Sequence, residues 1–70
     1  MNKKKLRAKM VQNGDTYQSL ATVLGKSYVA VWQKMNSKRP FTQDEMKTII
    51  DRYHLKPVET QEIFFASEVS

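Results

Sequence analysis

Residues 17–36 read Tyr17-Gln18-Ser19-Leu20-Ala21-Thr22-Val23-Leu24-Gly25-Lys26-Ser27-Tyr28-Val29-Ala30-Val31-Trp32-Gln33-Lys34-Met35-Asn36. Leu20, Ala21 and Leu24 share one face of a short helix that starts near Tyr17, and Gly25 stops it. Gly25-Lys26-Ser27 then forms a three-residue turn. Ser27 is an N-cap residue type and opens a second helix, Tyr28 to Asn36, whose inward pair is Val31 and Met35 at i, i+4. Ala21 is small where the two helices must approach closely. Gly25 takes a backbone conformation that other residues adopt poorly. Two short helices joined by a three-residue turn beginning with Gly have the pattern of a helix-turn-helix.

The flanks extend this reading. Before it, Lys3 to Asn13 carries Leu6, Met10 and Val11 at helical spacing, and Gly14 closes the segment. Asp15 and Thr16 are polar residues suited to cap the next helix. After it, Pro40 breaks the chain. Thr42-Gln43-Asp44-Glu45 is a capping box, and Phe41 with Met46 makes a hydrophobic staple. A fourth helix, 43–53, buries Met46, Ile49, Ile50 and Tyr53. His54-Leu55-Lys56 turns the chain, with Leu55 plugging the core. Pro57 suits the first position of a fifth helix, 57–65, and residues 66–70 are expected to fray. The expected fold class is all-α, a bundle of five short helices in one domain spanning residues 1–70.

Composition narrows the function. The 70 residues include no cysteine, so neither a disulfide nor a thiolate metal site is available. His54 has no second histidine beside it, which leaves it a capping or surface role and no metal. No apolar run reaches a membrane-spanning length. The basic start, Met1 to Lys5, has no apolar segment after it and is not a signal peptide. A reducing, cytoplasmic setting is expected. Asp44, Glu45, Glu59 and Glu62 fall near helix N-termini, where they oppose the macrodipole. No catalytic triad is arranged, and a core this small shelters no pocket. No enzyme, cofactor or small-molecule ligand is expected.

The net charge of +5 is unevenly spread. Residues 1–39 hold nine Lys or Arg against one acid, Asp15, a balance of +8; residues 40–70 hold three against six, a balance of −3. Such asymmetry aims a positive field at one side of the molecule and points to a polyanion. The second helix of the pair has a matching outward face. With Val31 set at 0° and about 100° per residue, Val29 lies at about 160°, Gln33 at about 200° and Asn36 at about 140°. Trp32, at about 100°, flanks this stripe, and Tyr28, at about 60°, sits beside the core. The stripe carries no acid, and Lys26, Lys34, Lys38 and Arg39 surround it.

Leu20-Ala21-x-x-x-Gly25-x-Ser27-x-x-x-Val31, continued through Asn36-Ser37-Lys38-Arg39-Pro40-Phe41-Thr42, resembles the helix-turn-helix of the lambdoid phage repressor and Cro family, also called XRE-like. The resemblance covers roughly residues 5–65. It implies a transcriptional repressor that binds double-stranded operator DNA, in a bacterial cytoplasm where the gene is phage-encoded. By position, Tyr28, Val29, Trp32 and Gln33 would face bases. Gln33 suits an adenine edge and Val29 a thymine methyl. Phosphate contacts would fall on Tyr17, Gln18, Asn36, Lys38 and Arg39. Ser27 at the helix N-terminus would donate to a phosphate, and Lys26 would reach outward to add another.

Two residues depart from the family pattern. Lys26 stands where an aliphatic residue is usual. Ser37 stands where glycine is common, and the expectation is that Asn36 takes the left-handed geometry instead. One recognition helix spans only about 4–5 base pairs, so a homodimer on half-sites about 34 Å apart is implied. Its surface is expected at Lys56, Val58, Phe64 and Phe65, because two consecutive Phe on a short helix cannot both point inward. The alternatives on the same scaffold are the antitoxin of a toxin–antitoxin pair, and a protein-interaction module such as an antirepressor.

Overall fold

A computed structural model describes residues 1–65, and it contains five helices in chain order: α1 (Lys3–Gln12), α2 (Tyr17–Leu24), α3 (Tyr28–Met35), α4 (Gln43–Tyr53) and α5 (Pro57–Phe64). Among the described residues there is no strand, and the architecture is an all-α bundle. α1, α3 and α5 each end one residue earlier than expected. The expected fraying of residues 66–70 lies outside the described residues.

Four of the five helices, α1 to α4, begin at a residue whose side chain accepts from one of the helix's free N–H groups. Asn2 Oδ1 accepts from the Lys5 N–H and Ser27 Oγ from the Ala30 N–H. Thr16 and Ser19 cap α2 reciprocally, and Thr42 and Glu45 do the same for α4. In α5 Pro57 occupies the first turn, and the Glu59 carboxylate accepts from the Lys56 N–H at 2.9 Å. Two of the helices, α2 and α4, end on a left-handed residue. Gly25 has φ +67°, and a Cβ built there would meet nothing within 4 Å. Glycine is favoured there by backbone conformation alone, not by crowding. His54 closes α4 with φ +51°.

The core is formed by Leu6, Met10, Leu20, Ala21, Val31, Met35, Phe41, Ile49, Tyr53, Leu55 and Ile63. α2 and α3 pack on each other, as do α1 and α5. Leu20, Ala21, Val31 and Met35 are fully buried, so the small residue at 21 stands where the α2–α3 packing needs it. Deleting a side chain such as Leu20 to Ala would cost about 2–5 kcal/mol. Phe64 packs edge-on to Phe41, with ring centroids 5.9 Å apart. The Asn2 N–H donates to the Ile63 carbonyl at 2.7 Å, fastening the start of the chain to α5.

Three expectations about the core are corrected. Val11 is 68% exposed. Leu6, Met10 and Val11 are spaced i, i+4, i+5, which spreads them over about 140° of the helix; only the first two fit one buried stripe. Met46 and Ile50 are half-buried at the core's edge. Lys34, expected among the cations surrounding the outward stripe of α3, is buried and paired with the buried Glu45 of α4. Burial alone would raise the Glu45 carboxyl. The Lys34 ammonium and the bonds from Thr42 outweigh it and hold the group below its ordinary value.

Candidate nucleic-acid interface

The outward side of α3 carries Tyr28, Val29 and Trp32, which are 47%, 61% and 43% exposed. This resolves the two residues whose helical angle sits near the core. The α2–α3 packing is filled by Leu20, Ala21, Val31 and Met35, and the two large rings lie outside it. Tyr28 leans on Tyr17 of α2, with centroids 6.2 Å apart. Gln33 is half-buried, more enclosed than its angle implies, and its backbone carbonyl accepts from the Lys38 N–H. That bond folds the segment after α3 back onto the helix.

The segment after α3 differs from expectation at one residue. Ser37 is the left-handed residue, with φ +59°, while Asn36 keeps a negative φ of −99°. The Asn36 side chain explains the difference. Its amide donates to the Trp32 carbonyl at 2.8 Å, and its Oδ1 accepts from Lys3 Nζ at 2.9 Å. Those bonds commit Asn36 to closing α3, so the chain reverses one residue later. They also leave Asn36 less free for the phosphate contact that the resemblance implies.

The remaining expected phosphate residues cluster at two places. Tyr17 and Gln18 open α2, and Tyr17 is half-buried between Tyr28 and Arg7, whose guanidinium carbon lies 5.5 Å from the ring centroid. Lys26 and Ser27 are exposed in the turn, although the Ser27 hydroxyl already serves as a cap. Lys38 and Arg39 are exposed after α3. They border a cleft of about 440 Å³ that Phe41, Met46, Phe64 and Phe65 also line. Of the expected dimer residues, Val58 and Phe65 are each 61% exposed, and the Lys56 side chain is exposed. Phe64 is half-buried, packed edge-on to Phe41 and beside Phe65, and lines the same cleft.

The charges sort themselves in a way the linear count did not show. Lys5 pairs with Glu62, Lys9 with Glu59 and Lys34 with Glu45. Three of the nine bases in residues 1–39 are thus matched by acids of residues 40–70. Asp15, the one acid of the first part, is matched by Arg52 of α4 through two bonds of 2.7 and 2.8 Å. Tyr53 and Ser19 also donate to its carboxylate. Arg52 above all, then Tyr53 and Ser19, holds the Asp15 carboxyl far below the usual carboxylate range against the opposing effect of burial. Burial first, then the hydrogen bond to Asp15 and its charge, pushes the Tyr53 phenol up. Lys3, Lys4, Arg7, Lys26, Lys38 and Arg39 have no acidic partner among the described residues.

Sequence reasoning missed the Asp15 network and the Lys34–Glu45 pair. A signal existed for Lys34, which lies about 60° from Val31 on the helix and so beside the core stripe. Among the described residues no group of three His, Cys, Asp or Glu is placed to hold a metal ion, and no helix is long and apolar enough to cross a membrane. No family model, curated protein or solved structure matches the chain.

Proposed function

We propose that this protein is a sequence-specific regulator of transcription that binds double-stranded operator DNA with α3 in the major groove, in the manner of the Cro-like proteins its sequence resembles. The observation that carries this reading is the outer face of α3. It exposes Tyr28, Val29 and Trp32 with no acid among them, while six cations that have no acidic partner among the described residues stand on α1, in the turn before α3 and just after it. Cations attract backbone phosphates without regard to sequence. Val29 and Gln33 supply contacts that distinguish bases, the first to a thymine methyl and the second to an adenine edge. A homodimer through Val58 and Phe65 would place two such helices on a pseudo-palindromic site. Repression would then be steric, by occupation of a promoter.

The test is selection of binding sites from a randomised duplex library, followed by affinity measurements on the selected and a scrambled duplex. Gln33→Ala should weaken the selected duplex by about 1–3 kcal/mol and leave the scrambled one nearly unchanged. Lys38→Ala should weaken both and lower the salt slope by about one. Equal affinity for selected and scrambled duplexes at physiological salt would remove the regulator reading. A second reading rests on the apolar character of Tyr28, Val29 and Trp32, which also suits a protein partner. Failure of the folded protein to bind any duplex would decide for that one.

A further inference from the structure

The geometry points to a phosphate clamp built on α1, with Lys3 and Arg7 as its cations and Tyr17 as its support, which extends the DNA footprint beyond α3. It rests on the DNA-binding reading and gives two of the cations which that reading counts only as charge a defined phosphate contact. α1 divides its charges by face. With Leu6 and Met10 as the buried stripe, Lys5 and Lys9 lie on one flank, Lys3 and Arg7 on the other, at about 100° per residue. The first flank is neutralised by Glu62 and Glu59 of α5. The second has no acidic partner among the described residues and borders a cleft of about 580 Å³ together with Tyr17, Gln18, Trp32 and Asn36.

The clamp's side chains are already held. Lys3 Nζ donates to Asn36 Oδ1 at 2.9 Å, and the Arg7 guanidinium lies over the Tyr17 ring with one long bond of 3.4 Å to its hydroxyl. A guanidinium has five N–H donors, so most remain for a phosphate oxygen. Holding the cation over a ring reduces the side-chain entropy lost when the phosphate binds. Among the described residues one carboxylate, that of Asp15, also borders the cleft. Its two oxygens are bonded by Arg52, Tyr53 and Ser19, and the Arg52 charge offsets its repulsion of a phosphate. The cleft continues to Gln18 at the start of α2, so one DNA strand passing that point would meet both.

The test measures duplex affinity against salt concentration by fluorescence anisotropy, using the full chain and a labelled duplex of about 20 base pairs from the selection above. Each phosphate contact contributes about 0.9 to the slope of log affinity against log salt. Arg7→Met and Lys3→Met should each lower the slope by about that amount and weaken selected and scrambled duplexes alike. Lys4→Met makes the same change of net charge on the exposed face of α1, and its slope should stay within about 0.3 of the unaltered protein. Arg7→Lys should keep the slope and lose only part of the affinity, since it keeps the charge without the planar fork. Circular dichroism would confirm that each variant is folded. An unchanged slope in Arg7→Met and Lys3→Met, with the unaltered protein still preferring its selected duplex, overturns the clamp and leaves the regulator reading standing. Equal losses in Lys4→Met and Arg7→Met reduce the clamp to net charge and overturn it as well. Absence of any duplex binding by the unaltered protein overturns both.

Discussion

Replacing Lys34 by Met should cost about 3 kcal/mol of folding stability at pH 7, and the cost should shrink as the pH is lowered. The pair joins α3 to α4 inside the protein, with the Lys34 and Glu45 side chains 7% and 5% exposed. Met keeps the length of the buried stem but leaves the Glu45 carboxylate without its cation. Breaking a buried pair from one side costs about 3–5 kcal/mol. Protonation sets a ceiling, because an unpaired Glu45 can take up a proton. From an ordinary glutamate value of about 4.3 to pH 7 that escape costs about 3.7 kcal/mol, and at pH 5 only about 1. In the unaltered protein the folded Glu45 value lies below the ordinary one, so its contribution is full at neutral pH and is lost as the pH falls below about 4.5. In Lys34→Met the folded value rises above the ordinary one and the sign reverses: stability is gained as the pH falls from 7 toward 5. Urea unfolding followed by helix circular dichroism at pH 7 and pH 5 measures both. The double variant Lys34→Met with Glu45→Leu should recover part of the loss, as apolar replacement of a buried pair is often neutral but here also removes the acceptor of the Thr42 N–H. A loss below about 1 kcal/mol at pH 7, or one that is the same at pH 5, would refute the reasoning, since both follow from leaving one charge buried.

Other consequences are open to simpler measurement. Asp15→Asn should destabilise the fold by about 2 kcal/mol at neutral pH, chiefly through the charged bonds from Tyr53 and Ser19, with the more open Arg52 pair screened by solvent. Because the folded Asp15 carboxyl sits below its unfolded value, the difference from the unaltered protein should narrow as the pH falls below about 4; unfolding at pH 3 and pH 7 checks this. Ser37→Gly should stabilise by about 0.5–1 kcal/mol, seen as a higher thermal midpoint, because it relieves a left-handed residue with φ +59°. Phe65→Ser should weaken self-association in sedimentation velocity while leaving the thermal midpoint of the dilute protein unchanged, since the ring is 61% exposed. An unaltered association profile would remove α5 as the dimer surface.

The helices were legible because their punctuation is chemical. Gly25, Ser27, Pro40, Thr42 and Pro57 each mark a boundary that backbone geometry enforces, and the helices begin where those residues place them. The packing of Leu20 and Ala21 with Val31 and Met35 followed from periodicity alone. What periodicity could not show is which charged residues are partners across the fold. Lys34 and Glu45 are 11 residues apart, and Asp15 and Arg52 are 37 apart. Each looks in isolation like an ordinary surface or capping residue. The left-handed turn after α3 was misplaced by one residue for a related reason. Asn36 is the better left-handed residue by type, but it is held by Lys3 from a distant helix. The helical angles of Tyr28 and Trp32 lie beside the core stripe, and their exposure follows from how completely smaller side chains fill the α2–α3 packing.

The acids of residues 40–70 bear on the proposed interface although none lies on α3. A count of charge along the chain treats them as a separate negative half. In the folded chain Glu59, Glu62 and Glu45 take up Lys9, Lys5 and Lys34, the bases that lie away from the outer face of α3 or beneath it. Arg52 answers Asp15, the one acid among the described residues that borders the cleft beside Tyr28 and Trp32. Both kinds of pairing sharpen the field without changing the net charge, because they cancel positive charge away from the face and negative charge beside it. Within a Debye length of about 8 Å, the local arrangement matters more to an approaching phosphate than the total. An acid moved from α5 to the outer face of α3 would leave the composition and the net +5 untouched. It would place repulsion on the face proposed to read base edges, so the placement of these acids, more than their number, favours the proposed polyanion partner.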